Sequence, residues 1–329
     1  MRKYVILTSI IIVLLLTSCT KSSFEPIPPN MSVVVSVNIK EGSLSFINTD
    51  THELVTEWKL FIPITGAFVL PDPNLIAVYG KQLDGLYIYD LSKGRLKETW
   101  DIGQGIVNGT VIEQTGNIFL VDQTIQGVRV FSSTGEEKKQ IATGPKPFGI
   151  FQGPKQQKTY VINYDDTKLS VVDNTQHKIV DTFTINPSSA GGIVIEDEQE
   201  IWLGGHGAGN EIGDTIHIYS LATNELTQTI KAPIMPVNFA ANDSAVFSIS
   251  HGSSTVRKFD RLTKSELAAM QIGSNLFDIK IVDKDLYIAS YDSDEIFILD
   301  TSDLKIKSKI QVGRGPFRIH VREGRESDE

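Results

Sequence analysis

Residues 159–173 read TYVINYDDTKLSVVD, and the fold follows from this stretch. Two short runs of alternating β-branched and aromatic residues, 160–163 and 169–173, flank a polar loop, which is the pattern of two antiparallel strands. A further strand is predicted on each side, at 147–151 and at 180–185. Gly, Asn and Asp in the intervening segments are typical of tight turns. The unit is therefore predicted to be a sheet of four short strands.

The four-strand unit recurs along the whole chain. Alternating apolar residues followed by a polar turn occur seven times at intervals of 40 to 47 residues, and the runs end at Asn48, Asp90, Ser132, Asp173, Ser220, Asp260 and Asp300. A spacing of roughly 40–45 residues is typical of four-stranded propeller blades. The sequence predicts an all-β, seven-bladed β-propeller over residues 31–321.

The two ends of the repeat complement each other. The first unit begins with its second strand, at 32–38, and the chain ends with a first strand, at 316–321, that has no partner after it. Their pairing would complete a blade and remove two free sheet edges. We therefore expect the C-terminal strand to close the ring in the first blade, and residues 322–329 to form a polar tail.

The repeat carries a family resemblance. Tyr160-Val161-Ile162-Asn163 followed by 169–173 resembles the Y-V-T-N…V-S-V-I-D consensus of YVTN-type seven-bladed propellers, the group that includes YncE-like proteins. Residues 286–300 repeat it, and 310–317 resemble the V-G-x-x-P junction of that family. The resemblance implies the fold and says little about function, because one fold hosts many activities. Seven-bladed relatives include lactonases and streptogramin lyases.

The N-terminal residues predict export and lipidation. Arg2 and Lys3 precede an apolar run at 4–16, which is shorter than the about 20 residues of a membrane-spanning helix. Leu16-Thr17-Ser18-Cys19 resembles a bacterial lipobox, which implies cleavage before Cys19 and a diacylglycerol on its thiol. We expect a signal peptide at 1–18, a lipidated, Pro-containing tether at 19–30, and attachment to the extracytoplasmic side of the cell membrane.

Composition excludes several classes of protein. The single cysteine excludes a disulfide framework and an all-cysteine zinc site. The formal net charge of −9 argues against general affinity for nucleic acid, which needs a basic face. We expect a monomer with no nucleic-acid partner.

The loops after the second and fourth strands of each unit share one face, here called the top, and the largest interval comes from one such loop at 204–214. This blade-five loop carries polar side chains that are able to contact a ligand or partner: His206, Asn210, Glu211 and Asp214. A plain surface loop is the simpler interpretation. We expect no cofactor, and the alternative is a divalent cation held by this loop.

A second candidate site is the rim of the central channel. Its aromatic members are Phe148, Tyr164, Phe277, Tyr291 and Phe317, and nearby polar residues on the same face are Asp165, Asp292 and His251. Packing between blades, and solvated turn carboxylates, are the structural alternatives. The other histidines, His52, His177, His217 and His320, are expected to be structural.

The expected function is that of a non-catalytic binding or scaffold protein, with a protein or small-molecule partner on its top face. One alternative is capture of a small ligand such as a corrinoid or metal complex. The other is a lactonase- or lyase-like enzyme that uses His206, Glu211 and His251. No G-x-S-x-G, H-E-x-x-H or P-loop motif occurs, so we expect no catalysis.

Overall fold

The computed structural model describes residues 23–325 except 154 and 156. Cys19, the predicted signal peptide and residues 326–329 lie outside the described residues. The described chain forms seven antiparallel sheets of four strands, and its other regular elements are two short 3₁₀ turns, Leu91–Lys93 and Glu196–Glu198. No helix in this part of the chain is long and apolar enough to cross a membrane.

The sheets are the blades of a ring, numbered in chain order. The strands are β1 (Val33–Asn38), β2 (Ser43–Asn48) and β3 (Leu54–Lys59) in blade 1; β4 (Gly66–Val69), β5 (Leu75–Tyr79), β6 (Gly85–Asp90) and β7 (Arg95–Asp101) in blade 2; β8 (Ile106–Val111), β9 (Ile118–Asp122), β10 (Gly127–Phe131) and β11 (Glu137–Ala142) in blade 3; β12 (Pro147–Gly153), β13 (Lys158–Asn163), β14 (Lys168–Asp173) and β15 (Lys178–Thr184) in blade 4; β16 (Ser189–Ile195), β17 (Glu200–Gly205), β18 (Thr215–Ser220) and β19 (Leu226–Lys231) in blade 5; β20 (Pro236–Ala241), β21 (Ala245–Ser250), β22 (Thr255–Asp260) and β23 (Glu266–Gln271) in blade 6; and β24 (Leu276–Val282), β25 (Asp285–Ser290), β26 (Glu295–Asp300) and β27 (Ile306–Gln311) in blade 7. The last strand, β28 (Pro316–Arg322), is the innermost strand of blade 1.

Ring closure follows the predicted scheme. β28 pairs antiparallel with β1, with Val321 opposite Val34 and Ile319 opposite Ser36. Blade 1 therefore combines three strands from the start of the chain with one from its end, in the order β28-β1-β2-β3. The prediction of a seven-bladed, all-β propeller closed by its C-terminal strand is confirmed.

The hydrophobic core lies between the blades. Seven clusters of buried apolar side chains occur in the described chain, and each joins two neighbouring blades. The middle strands are buried on both faces, as in β1, whereas the outermost strands are largely exposed, as in β23. A blade buries its two faces only against its neighbours, so the ring is stable only as a whole.

The N-terminal boundary differs from the predicted tether. Ile27 is fully buried in the cluster between blades 1 and 2. Phe24 stacks on Trp58 with ring centroids 5.0 Å apart, and Trp58 donates its indole N–H to the carbonyl of Glu25 at 2.9 Å. Residues 24–30 are therefore part of the folded domain, because apolar side chains among the prolines find a groove between two blades.

The C-terminal boundary also differs from the prediction. Arg322 ends β28 and is only 1 % exposed, and its guanidinium donates hydrogen bonds to the carbonyls of Pro28 and Met31. The backbone N–H of Gly324 donates to the Ser32 hydroxyl. The polar character of residues 322–329 predicts a tail that begins at Arg322, and arginine is rarely buried in proteins. Backbone carbonyls of the N-terminal segment accept the hydrogen bonds of its two terminal nitrogen atoms here.

Removal of β28 should be far more damaging than removal of the residues behind it. Deletion of 316–329 exposes the edge of β1 and removes buried side chains such as Ile319. Each such side chain contributes about 1.5–3 kcal/mol, and about 1 kcal/mol shifts Tm by about 2–4 °C in larger domains. We expect the Tm to fall by more than about 10 °C.

Deletion of 326–329 is the matched control, because it leaves Arg322 and Gly324 in place. A change within about 0.5 kcal/mol is expected for residues away from the core. Equal melting temperatures for the two truncated proteins would contradict the closure mechanism.

Candidate ligand-binding site

The innermost strands share a backbone irregularity at the channel mouth. Six of the seven carry a β-bulge near their start, where one extra residue has no partner on the next strand. The extra residues are Val107, Phe148, Ala190, Val237, Phe277 and Phe317. A bulge re-aims the side chain it carries. All of these residues except Val107 line one cavity of about 320 Å³ in the channel.

A second set of side chains stands beside the bulges. The residue that follows the second strand is Tyr164 in blade 4, His206 in blade 5, His251 in blade 6 and Tyr291 in blade 7. In each case its backbone N–H donates to the carbonyl of the residue before the innermost strand of the same blade, at 2.9–3.1 Å. The repeated hydrogen bond places these four side chains at equivalent positions on the top face.

These two sets form a continuous aromatic arc, defined as Phe148, Tyr164, His206, His251, Phe277, Tyr291 and Phe317. Neighbouring rings have centroids 4.5–6.3 Å apart, and most are edge-to-face. The arc runs from blade 4 through blade 7 to blade 1. In blades 2 and 3 the residue after the second strand is Gly80 or Gln123, so the arc is open on that side.

A lysine ammonium group lies over the ring of each of the two tyrosines in the arc. The Lys40 ammonium lies 4.0 Å from the Tyr291 ring centroid and 2.9 Å from an Asp292 carboxylate oxygen. Lys146 repeats the arrangement on Tyr164, at 4.9 Å. Its ammonium pairs at 3.1 Å with the acidic residue that follows Tyr164. Such a cation–π contact contributes about 0.5–1 kcal/mol at exposed sites.

The two predicted acidic positions are therefore engaged inside the protein. Lys40 and Asn275 lower the pKa of Asp292 through hydrogen bonds to its carboxylate. Asp165 forms its ion pair with Lys146. Both carboxylates fix lysines over the tyrosines, and neither lines the channel cavity.

The two histidines of the arc are half-buried and contact each other, with ring centroids 5.8 Å apart. The Nδ1 atom of each is buried and has no hydrogen-bond partner in the described chain. Burial lowers the pKa of His206, and the neighbouring His251 lowers it further. Burial also lowers the pKa of His251, against a smaller opposing effect of the Leu276 carbonyl. Both imidazoles are therefore neutral at pH 7.

The blade-five loop does not assemble the predicted cation ligands. His206 turns into the channel, whereas Glu211 and Asp214 line a separate pocket of about 270 Å³. Asp214 pairs with Lys231 at 2.5 Å, and Asn210 is exposed. Among residues 23–325 except 154 and 156, no group of three or more His, Cys, Asp and Glu is arranged to hold a metal ion.

A polar belt lies just below the aromatic arc. It consists of the residues that follow three of the bulges: Asn108, Asn238 and Asp278. The Asn108 side chain donates to the carbonyl of Phe148 in the next blade at 3.0 Å. Asn238 donates to the Asp278 carboxylate at 2.7 Å, and Asp278 also accepts from the backbone N–H of Ile319 at 2.7 Å. The belt residues thus link blade 3 to blade 4, blade 6 to blade 7, and blade 7 to blade 1.

On blades 7 and 1 the wall of the cavity is basic, at the level of the belt and below it. Lys280 on β24 and Arg318 and His320 on β28 all line it. Sequence reasoning missed all three, and it placed His320 among the structural residues. A signal was available, because channel-facing residues alternate along a strand. The alternation alone does not say which of the two alternating sets of residues faces the channel, because the position of the bulge decides this.

Comparisons with known proteins support the fold alone. No protein-family model matches the chain, and no curated protein matches it. Among solved structures, a functionally unknown protein from Desulfotomaculum acetoxidans DSM 771 is similar, with a TM-score of 0.72 and 13% identity, covering 89% of this chain and 99% of that one.

Two proteins with stated activities share the architecture. Hydrazine synthase from Kuenenia stuttgartiensis has a TM-score of 0.70 and 12% identity, covering 88% of this chain and 99% of that one. The dihydro-heme d1 dehydrogenase NirN, solved in complex with DHE, has a TM-score of 0.66 and 11% identity, covering 94% of this chain and 78% of that one.

The channel histidine His320 should make the protein less stable in mild acid. Burial lowers the pKa of His320 to about 3, and the nearby Lys280 and Arg318 add to the shift. An unfolded histidine takes up a proton near pH 6.5. In the folded protein His320 stays unprotonated at that pH. Protonation therefore favours the unfolded chain, and the free energy of unfolding decreases as the pH falls below 6.5.

Thermal unfolding at pH 7.5 and pH 5.0 tests this effect. Carboxylates contribute little in that window, because their unfolded pKa values lie near 4. We expect a lower Tm at pH 5.0 in the native protein and a smaller drop in His320→Gln. His52→Gln is the control, because that histidine lies on the outer surface beside Asp285. An equal drop in native protein and His320→Gln would refute the assignment.

Proposed function

We propose that the protein is a non-catalytic binding propeller that captures a small, flat ligand at the mouth of its channel. The aromatic arc is the observation that carries this proposal. The arc joins seven rings, of which four line the channel cavity, and it includes two neutral imidazoles with unpartnered nitrogen atoms. Ligand sites in proteins are typically concave and aromatic, with a few placed polar groups. The arc meets each of these criteria.

A metal-centred macrocycle, such as a corrinoid, is the ligand class that would use both features. Its flat face would stack on the rings of the arc. A neutral imidazole of His206 or His251 is a common metal ligand. NirN, which shares the architecture, is a dihydro-heme d1 dehydrogenase solved with DHE, and this supports the class by analogy of fold. The cavity of about 320 Å³ is small, so the macrocycle would lie across the mouth.

The lactonase- or lyase-like alternative has less support. It requires His206, Glu211 and His251 to converge on one substrate. The two histidines contact each other, but Glu211 lines a different pocket. The proposed function is therefore binding.

Docking of a protein partner on the top face is the second candidate. Ile212 in the blade-five loop is 59 % exposed, which favours an apolar contact outside the channel. Ile212→Asp should abolish binding of such a partner and leave capture of a small ligand unchanged. Retention of a membrane-derived partner by Ile212→Asp, measured by pull-down, would exclude this surface.

The proposed location is the extracytoplasmic side of the cell membrane, with a lipid on Cys19. The resemblance of residues 16–19 to a lipobox supports it. The packed segment at Phe24 begins five positions after Cys19, and a chain extends by at most about 3.6 Å per residue. The propeller would therefore stay within about 20 Å of its anchor.

Ligand capture can be tested with cobinamide and with hemin, titrated separately and followed by absorbance. Tyr164→Ala and His206→Ala each remove one ring of the arc. A ring contact contributes about 0.5–1.5 kcal/mol, so each change should weaken binding about two- to tenfold. Phe61→Ala is the control, because Phe61 is 77 % exposed and lies outside the channel. The proposal fails if the arc variants bind both probes as tightly as the native protein does.

Membrane attachment can be tested in cells that express the full chain. Cys19→Ala should move the protein out of the detergent-soluble membrane fraction or leave it unprocessed, because no other side chain supplies the thioether. Ser18→Ala is the control, because it keeps a small residue before the cysteine. Wild-type processing and lipid retention in Cys19→Ala would show that residues 16–19 are not a lipobox.

A further inference from the structure

The wall of the channel formed by blades 7 and 1 differs chemically from the rest. Asp278 and Lys280 lie two positions apart on β24, and Arg318 and His320 lie two positions apart on β28. The two strands are neighbours in the ring, because the backbone N–H of Ile319 on β28 donates to Asp278 on β24. All four side chains line the same cavity.

The positive charges on this wall outnumber the negative charge, because Lys280 and Arg318 stand against the single carboxylate of Asp278. Neither Lys280 nor Arg318 forms an ion pair with another described residue, whereas Lys40 and Lys146 beside the arc each do. Asp278 is the nearby carboxylate, and neutral donors occupy both of its oxygens. These donors are the Asn238 amide and the backbone N–H groups of Ile279 and Ile319.

Two polar atoms on the same wall are buried without a partner. The Nε atom of Arg318 has no hydrogen bond, and neither has Nε2 of His320. A buried polar group without a partner costs about 1–3 kcal/mol, more when it is charged. Two such atoms on adjacent strands, next to an unpaired lysine, indicate that something outside the protein chain completes the site.

We propose that this wall binds a small anionic group, a carboxylate or a phosphate, within the channel. The proposal rests on the proposed function only in that both sites open into the same cavity. The anionic group belongs either to the ligand held by the aromatic arc or to a free anion.

The chemistry of the wall fits such a group. The guanidinium of Arg318 presents a planar set of donors that matches a carboxylate or phosphate edge. Lys280 adds a compact charge from the neighbouring strand. Asp278 contributes one negative charge against the two positive charges of Lys280 and Arg318, and three hydrogen bonds hold its carboxylate within the polar belt. The wall therefore keeps an excess of positive charge. The cavity volume of about 320 Å³ limits the guest to a small group.

Three probes separate the two sources of the anion. Inorganic phosphate is a free anion, 2-naphthoate combines a flat ring with a carboxylate, and 2-naphthol is a flat ring that is neutral at pH 7.5. Each is titrated calorimetrically into the native protein at constant ionic strength set with sodium chloride. If the guest is a free anion, we expect phosphate to bind. If the anionic group belongs to the ligand of the arc, we expect 2-naphthoate to bind, and to bind more tightly than 2-naphthol.

The charged residues are then removed one at a time. Arg318→Gln and Lys280→Met should each weaken binding of the anionic probes at least about tenfold, in line with hydrogen bonds between charged groups. Binding of 2-naphthol should not change. Lys309→Met is the matched control, because that lysine lies on the outermost strand of blade 7, over the Phe297 ring. A melting temperature for each variant identifies any that does not fold, and the other variant then decides.

The outcomes distinguish the two proposals. Binding of 2-naphthoate that Lys280→Met or Arg318→Gln weakens, and Tyr164→Ala does not, would support the anion site and count against the arc. Binding of 2-naphthol with no preference for either anionic probe would overturn the anion site and leave the arc standing. Equal affinity of phosphate and 2-naphthoate for the native protein and both charge variants would also overturn it.

Discussion

The pairing of β28 with β1 is the contact on which the rest of the ring depends. Each blade of this propeller buries its faces only against its neighbours, so seven interfaces require a closed circle. β28 supplies Ile319 to the interface between blades 7 and 1, where it meets Val34 and Ile298 in one buried cluster. The same strand brings Phe317, Arg318 and His320 to the channel. Stability and the candidate site thus depend on one strand.

The β-bulges convert a uniform repeat into a site. A regular strand would place successive side chains on opposite faces of its blade. The extra residue resets the alternation of side chains in six innermost strands, and in five of them it turns a side chain towards the channel cavity. The backbone positions are nearly equivalent from blade to blade, so the identity of the side chains creates the asymmetry. Aromatic rings lie on the side of blades 4 to 7 and 1, and charge lies deeper, on blades 7 and 1.

Much of the fold could be read from alternation and spacing, because each blade is a local unit with short turns. The arc was partly predictable in the same way, since Phe148, Phe277 and Phe317 follow the repeat junctions. The polar residues of the blade-five loop do not form the single cluster that their spacing suggested. His206, Glu211 and Asp214 are close in sequence, but the backbone turns His206 inward and leaves the two carboxylates in another pocket. Proximity along a loop does not fix the direction of a side chain.

The sequence by itself determined the all-β repeat, the number of blades and the closure by the C-terminal strand, because these depend on local periodicity and on unpaired edges. Only the tertiary structure decided what the channel contains. Lys280, Arg318 and His320 are ordinary strand residues until the bulges set their direction and the ring brings β24 and β28 together. The burial of Arg322 was equally invisible, because its partners are backbone carbonyls about 290 positions away in the chain. Long-range contacts of this kind are made by the closed ring and leave no local pattern in the sequence.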